Sequence, residues 1–147
     1  NNLHEQAMTI ADEAFLAERA KKTDKAVELY QQAFELEKQA AMTMVLDYEI
    51  EPSRSVLFKG AACLALNGKN YREAERMVFL ALSGNPPIQI GEELRSLLLE
   101  INQLKVSENL TSLSPIEKYQ QLPKELQEQV ADFIDFLVVK RELAIQA

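Results

Sequence analysis

One histidine, one cysteine and several paired carboxylates are what this 147-residue sequence offers to chemistry. His4 stands near the start of the chain. A metal site or a proton relay needs partners at ligand or hydrogen-bond spacing, and none lies near it in the sequence. The spacing therefore predicts an uninvolved imidazole on a fraying terminus. Cys63 sits among Ala61, Ala62 and Leu64, with Lys59 as its only nearby base. A reactive thiolate needs a positive environment, so a buried small-residue role is expected instead. Gly68-Lys69 lacks the second glycine and the preceding strand of a phosphate-binding loop. The acid pairs Glu35/Glu37, Glu49/Glu51, Glu92/Glu93 and Asp132/Asp135 could divide acid and base roles if burial separated their pKa values. Without a recognisable cleft they read as charged helix faces. No catalytic, cofactor-binding or metal-ligating residue is assigned, no cofactor is expected, and the chain reads as a non-enzyme.

The elements that would carry these groups are helices. Residues 5–21 place Ala7, Ile10, Ala14, Leu16 and Ala17 close to one face. Thr23 or Asp24 is expected to cap a second helix over 25–47, whose stripe is Ala26, Leu29, Tyr30, Ala33, Leu36, Ala40, Met44 and Val45. That helix would be roughly 35 Å long, with Pro52 as its stop signal. A third is predicted over 53–66, rich in small residues, with Asn67-Gly68 as a left-handed stop. A fourth is predicted over 71–82, striped by Ala74, Met77, Val78, Ala81 and Leu82, and closed by Gly84. A fifth covers 88–104, with Ile90, Leu94, Leu97, Leu98 and Ile101 inward. The polar stretch 107–114 reads as a linker. Ser114-Pro115-Ile116-Glu117 is a capping box with proline at the first helical position. A short helix follows to about Gln121, then a last one from Pro123 towards Ile145.

Composition agrees with a packed helical protein: 47% of residues are apolar and 27% charged, and the few glycines and prolines fall between periodic segments. The net charge of −7 argues against phosphate-backbone binding and against docking on an anionic membrane, so no nucleic-acid or membrane partner is expected. No apolar run approaches the ~18 residues of a membrane span. The start, NNLHEQAMTIADEAF, lacks the basic and apolar regions of a signal peptide, and it has no initiator Met, as in a trimmed chain. A lone cysteine excludes an internal disulfide. Together these features predict a cytoplasmic location.

Two segments share a pattern. DKAVELYQQAFELE and REAERMVFLALSGNPP superpose Ala26 on Ala74, Tyr30 on Val78 and Ala33 on Ala81. In this the chain resembles tetratricopeptide repeats, whose second helix carries small residues seven apart around a large one. Pro86 closes the second repeat, and Leu57, Ala61 and Leu64 fall where that family places large, small and large residues. The repeat distance is 48 residues (74 − 26) against a family period of ~34, and the excess is assigned to the long second helix. The resemblance implies an all-α array of stacked antiparallel hairpins over 1–106, with a groove lined by Met8, Phe15, Arg19, Phe58, Ala62 and Ala65 that binds a protein or peptide. The basic pair that clamps a peptide carboxylate in some members is not evident. The tail SPIEKYQQLPKELQEQVADFIDFLVVK is similar to a short bacterial segment of pattern LPxELxxEVxDFIxFL found in uncharacterised and antitoxin-like proteins, with Gln129 replacing an acid. That resemblance implies a bacterial origin and a helical association segment over 115–147. Phe133, Ile134, Phe136, Leu137, Val138 and Val139 nearly surround its helix, so homodimer contacts are expected at Val130, Phe133, Phe136, Leu137 and Val139. The expected function is a protein–protein interaction scaffold. The alternatives are an antitoxin-like regulator acting through the tail and, from another class, an enzyme using a carboxylate pair.

Overall fold

A computed structural model of the chain describes residues 2–146. Those residues form seven helices: α1 (Leu3–Arg19), α2 (Thr23–Met42), α3 (Ser53–Asn67), α4 (Tyr71–Leu82), α5 (Ile88–Ser112), α6 (Pro115–Gln120) and α7 (Lys124–Gln146). No strand occurs among them. The chain divides into two compact units, Asn1–Lys105 and Val106–Ala147.

In the first unit α1 packs on α2, α2 on α3 and α3 on α4. The packing surfaces are alanine-rich. Ala14, Ala26, Ala33, Ala61, Ala62, Ala65, Ala74 and Ala81 are all inside the core, and small side chains let helix axes approach closely. Phe34, Phe58, Met77 and Val78 fill the remaining space, and Leu94, Leu97 and Ile101 bring α5 into the same core. Ion pairs fasten α5 further: Lys59 of α3 bonds Glu93, and Lys105 reaches Glu75 of α4 at 3.0 Å.

Helix ends show where local sequence rules held. Asn2 caps α1 by accepting from the Glu5 N–H at 2.8 Å, so the first turn is fixed rather than frayed. The Ser114–Glu117 capping box forms as predicted, with both reciprocal bonds at 3.2 Å. Neither Thr23 nor Asp24 caps α2. Thr23 is already helical, Lys22 occupies the cap position without a side-chain bond, and Lys21 takes the left-handed backbone conformation at φ 60°. At the α3–α4 turn the left-handed residue is Lys69 (φ 61°), not Asn67 or Gly68. Gly68 is needed for space: a Cβ there would lie 2.9 Å from Gln31 Cγ and 3.2 Å from the Gln31 backbone nitrogen, where α2 crosses.

Two helix lengths differ from the sequence reading. α2 stops at Met42, and residues 43–52 form a run of turns that includes a cis Glu51–Pro52 bond. The extra length between the two repeated patterns is therefore loop and not overhanging helix. α5 instead continues to Ser112, through most of the segment read as a linker. Thr111 and Ser112 donate their hydroxyls back to the carbonyls of Ser107 and Asn109, at 2.7 and 2.8 Å, so polar residues that could have left the helix bond within it.

The 43–52 turns are held by a side chain from the next helix. Arg54 is fully buried. Its guanidinium donates to the Val45 carbonyl from Nε (3.3 Å) and Nη2 (3.0 Å), and to the Ala81 carbonyl from Nη1 (3.4 Å). It lies 5.1 Å from the ring centres of both Tyr48 and Phe58. Arg54 thus ties the long turn to the end of α4 through carbonyls and rings rather than through a carboxylate.

Candidate functional site

The residues predicted for a groove separate by helix. Phe58, Ala62 and Ala65 of α3 are completely buried and form core, so no partner reaches them in this structure. The reason is that α3 is enclosed on several sides, and its small residues serve close helix packing rather than a groove wall. On α1, Phe15 and Arg19 are exposed, with the Arg19 guanidinium 5.8 Å from the Phe15 ring centre, and Met8 is half-buried against the core. Spacings of four and seven residues put His4, Met8, Phe15 and Arg19 along one stripe of α1.

His4 is the residue sequence reasoning undervalued. Its Nδ1 lies 2.9 Å from each carboxylate oxygen of Glu37, 33 residues away on α2. Glu37 is 1% exposed and belongs to one of the acid pairs read as surface charge. A carboxylate oxygen accepts, so the hydrogen bond is donated by the His4 Nδ1–H, and it is this contact that orients the ring. The carboxylate also lies against α3 at Gly60, where a Cβ would sit at an ordinary contact distance of 3.5 Å from Glu37 Oε2. Only the exposed Glu35 of that pair is a surface acid. The signal that could have revealed Glu37 is its place in the α2 stripe: it falls four residues after Ala33 and four before Ala41, both fully buried.

His4 borders a cleft of about 730 Å³ between the start of α1, the end of α2 and the start of α3. Leu3, Met44, Val56 and Leu57 give it apolar walls, and Gln6 and Thr43 add polar atoms. A mostly apolar concavity with a few directed polar groups is the usual form of a recognition site. His4 and Glu37 have no third metal-ligating side chain beside them among the described residues.

A second groove, about 460 Å³, runs between α3 and α5 and is lined by Lys59, Cys63, Glu92, Glu93, Ser96 and Glu100. Here the Glu92/Glu93 pair meets a cation: the hydrogen bond from Lys59, and then its charge, hold the Glu93 carboxyl below its ordinary range. Cys63 is half-buried. Burial pushes its thiol above the ordinary range, Lys59 pulls it down and Glu100 pushes it up again. The folded thiol therefore ionises later than the unfolded one. Alkylation of Cys63 at mildly alkaline pH is expected to be slower in the folded chain than in urea by at least ~10-fold, as followed by mass spectrometry. Stability from this group is intact below the ordinary thiol range and falls as pH rises through it, because the unfolded chain loses its proton first.

In the second unit α6 packs on α7, and Gln127 donates to the Tyr119 carbonyl at 3.0 Å. None of the described residues of α7 is buried. The predicted association residues Phe133, Phe136, Leu137 and Val139 are exposed, and Val130 is half-buried. No protein-family model, curated protein or solved structure matches this chain.

Proposed function

We propose that the first unit is a tetratricopeptide-like adaptor that binds a segment of another protein in the α1–α2–α3 cleft. The observation that carries the reading is the cleft itself, with apolar walls at Leu3, Met44, Val56 and Leu57 and the oriented imidazole of His4 at its edge. The repeated positions support the architecture. Ala26, Tyr30 and Ala33 of α2 and Ala74, Val78 and Ala81 of α4 are all buried, as the second helices of such repeats require. Apolar side chains of the partner would enter the cleft. His4 Nε2 would meet a backbone or side-chain polar group, with Glu37 fixing the ring. Phe15 and Arg19 extend the same stripe of α1 as an aromatic–cation pair of the kind enriched in binding hot spots.

Panning a random peptide library on the full chain tests this. Peptides with apolar anchors are expected to be enriched, and their affinity is expected to fall at least ~10-fold on Val56→Asp, a change at an exposed position on the cleft wall. Enriched peptides that bind the Val56→Asp chain equally well would place recognition elsewhere and end the proposal.

A further inference from the structure

We infer that the cleft between α1, α2 and α3 takes a cationic segment of its partner: an apolar stretch flanked by Lys or Arg, whose charges meet a carboxylate rim. This rests on the adaptor reading and names the partner's chemistry.

The turns beside the cleft point to a contact surface. Residues 43–52 leave the cleft wall at Thr43 and Met44, and the chain rejoins it at Ser53 and Val56. Between these ends Leu46, Tyr48 and Ile50 alternate with Asp47, Glu49 and Glu51. The three apolar side chains are exposed, as is Val56 on the wall itself. Several large apolar groups left in water around a concave wall mark a surface that meets a partner. The turns are ordered before any partner arrives, because buried Arg54 holds the Val45 carbonyl and lies against the Tyr48 ring. Binding then requires less ordering of the chain.

Charge selects the partner. The Asp47 N–H donates to the Met44 carbonyl at 2.9 Å. That keeps the Asp47 carboxylate within about 8 Å, one Debye length, of the cleft wall. Glu51 accepts from the Ser55 N–H at 3.0 Å and from the Ser55 hydroxyl at 2.7 Å, directly before Val56. Glu5 falls between His4 and Gln6, both on the cleft, and Glu49 between Tyr48 and Ile50. These segments bring no cation to balance the acids. Residues 2–8 contain no Lys or Arg, and the one base of residues 39–58 is Arg54, buried and bonded to carbonyls. Lys38 and Lys59, next along the chain on either side, are tied to Glu73 and Glu93. The end of α4 that Arg54 reaches, residues 81–84, adds no charge. A partner's Lys or Arg therefore meets uncompensated carboxylates, whereas nucleic acid and an anionic membrane are repelled.

The test pans a random peptide library on the full chain. Enriched peptides are expected to carry Lys or Arg beside their apolar anchors, in clear excess over Asp and Glu. The affinity of such a peptide should fall about 5-fold on Asp47→Asn/Glu49→Gln, with a smaller loss at high salt. Both carboxylates are exposed, so circular dichroism should be unchanged. Asp132→Asn/Asp135→Asn removes the same charge from α7 in the second unit and should leave the affinity as it was. An equal loss from both pairs shows attraction by net charge alone and overturns the inference. So do enriched peptides without a basic excess; if those still lose binding on Val56→Asp, the adaptor reading stands with a neutral partner. No enrichment, or peptides indifferent to Val56→Asp, ends both.

Discussion

Arg54→Ala is expected to lower the unfolding free energy by about 2–4 kcal/mol, measured by urea denaturation. Several effects compete. Removing the guanidinium relieves the desolvation of a fully buried cation, which favours the variant. Against this, the Val45 and Ala81 carbonyls lose their donors, the space between Tyr48 and Phe58 empties, and the turns of residues 43–52 lose their anchor. Several lost bonds and a large void outweigh one relieved charge. Arg54→Lys should not restore the loss, because an ammonium lacks the planar fork that spans both carbonyls while lying against two rings. Gly84 reports on the same contact. A Cβ at Gly84 would fall 2.2 Å from Arg54 Nη1 and 3.0 Å from Cζ. Gly84→Ala is therefore expected to destabilise the natural chain and to be nearly neutral in the Arg54→Ala background, a coupling of about 1–3 kcal/mol. Strict additivity of the two substitutions would show that the guanidinium does not occupy this position.

Phe58→Ala is expected to lower stability by about 3–5 kcal/mol, the usual loss for a fully buried phenylalanine. Phe15→Ala, at the other aromatic position assigned to a groove by repeat resemblance, should change stability by only about 0.5 kcal/mol, since its ring is half exposed. Thermal unfolding of the two variants side by side separates a core residue from a surface one. Equal and small effects would return Phe58 to the surface.

The periodic signals in the sequence were strong where a helix meets one neighbour. α4 occupies the predicted 71–82, and its stripe of Ala74, Met77, Val78 and Ala81 is buried. The signal failed where a tertiary contact decided the outcome. Met44 and Val45 continue the α2 stripe, so periodicity alone extends that helix. The chain leaves it after Met42, and the Val45 carbonyl bonds Arg54, nine residues downstream. The reverse happened at 107–112, where polar composition suggested a linker but the hydroxyls turned inward on helix carbonyls. The cleft was hidden for a similar reason. His4 and Glu37 are 33 residues apart, and no local pattern announces that one will orient the other. Small residues were ambiguous as well. Ala62 and Ala65 fit a groove wall by repeat resemblance, but an alanine at a helix interface gives the same pattern.

Alanine supplies eleven of the twenty-one buried apolar residues among those described, from Ala7 to Ala81. Such an interior has an inverted tolerance to drift. In a leucine-rich core most single changes shrink a side chain and leave a void. Here truncation can reach only glycine, and most accessible changes add atoms where two helix backbones already touch. Growth at such a position forces the axes apart and costs about 1–3 kcal/mol. Divergence of this chain would therefore be channelled to its loops, its stripe on α1 and its exposed tail, while the alanine seams admit few replacements of any size.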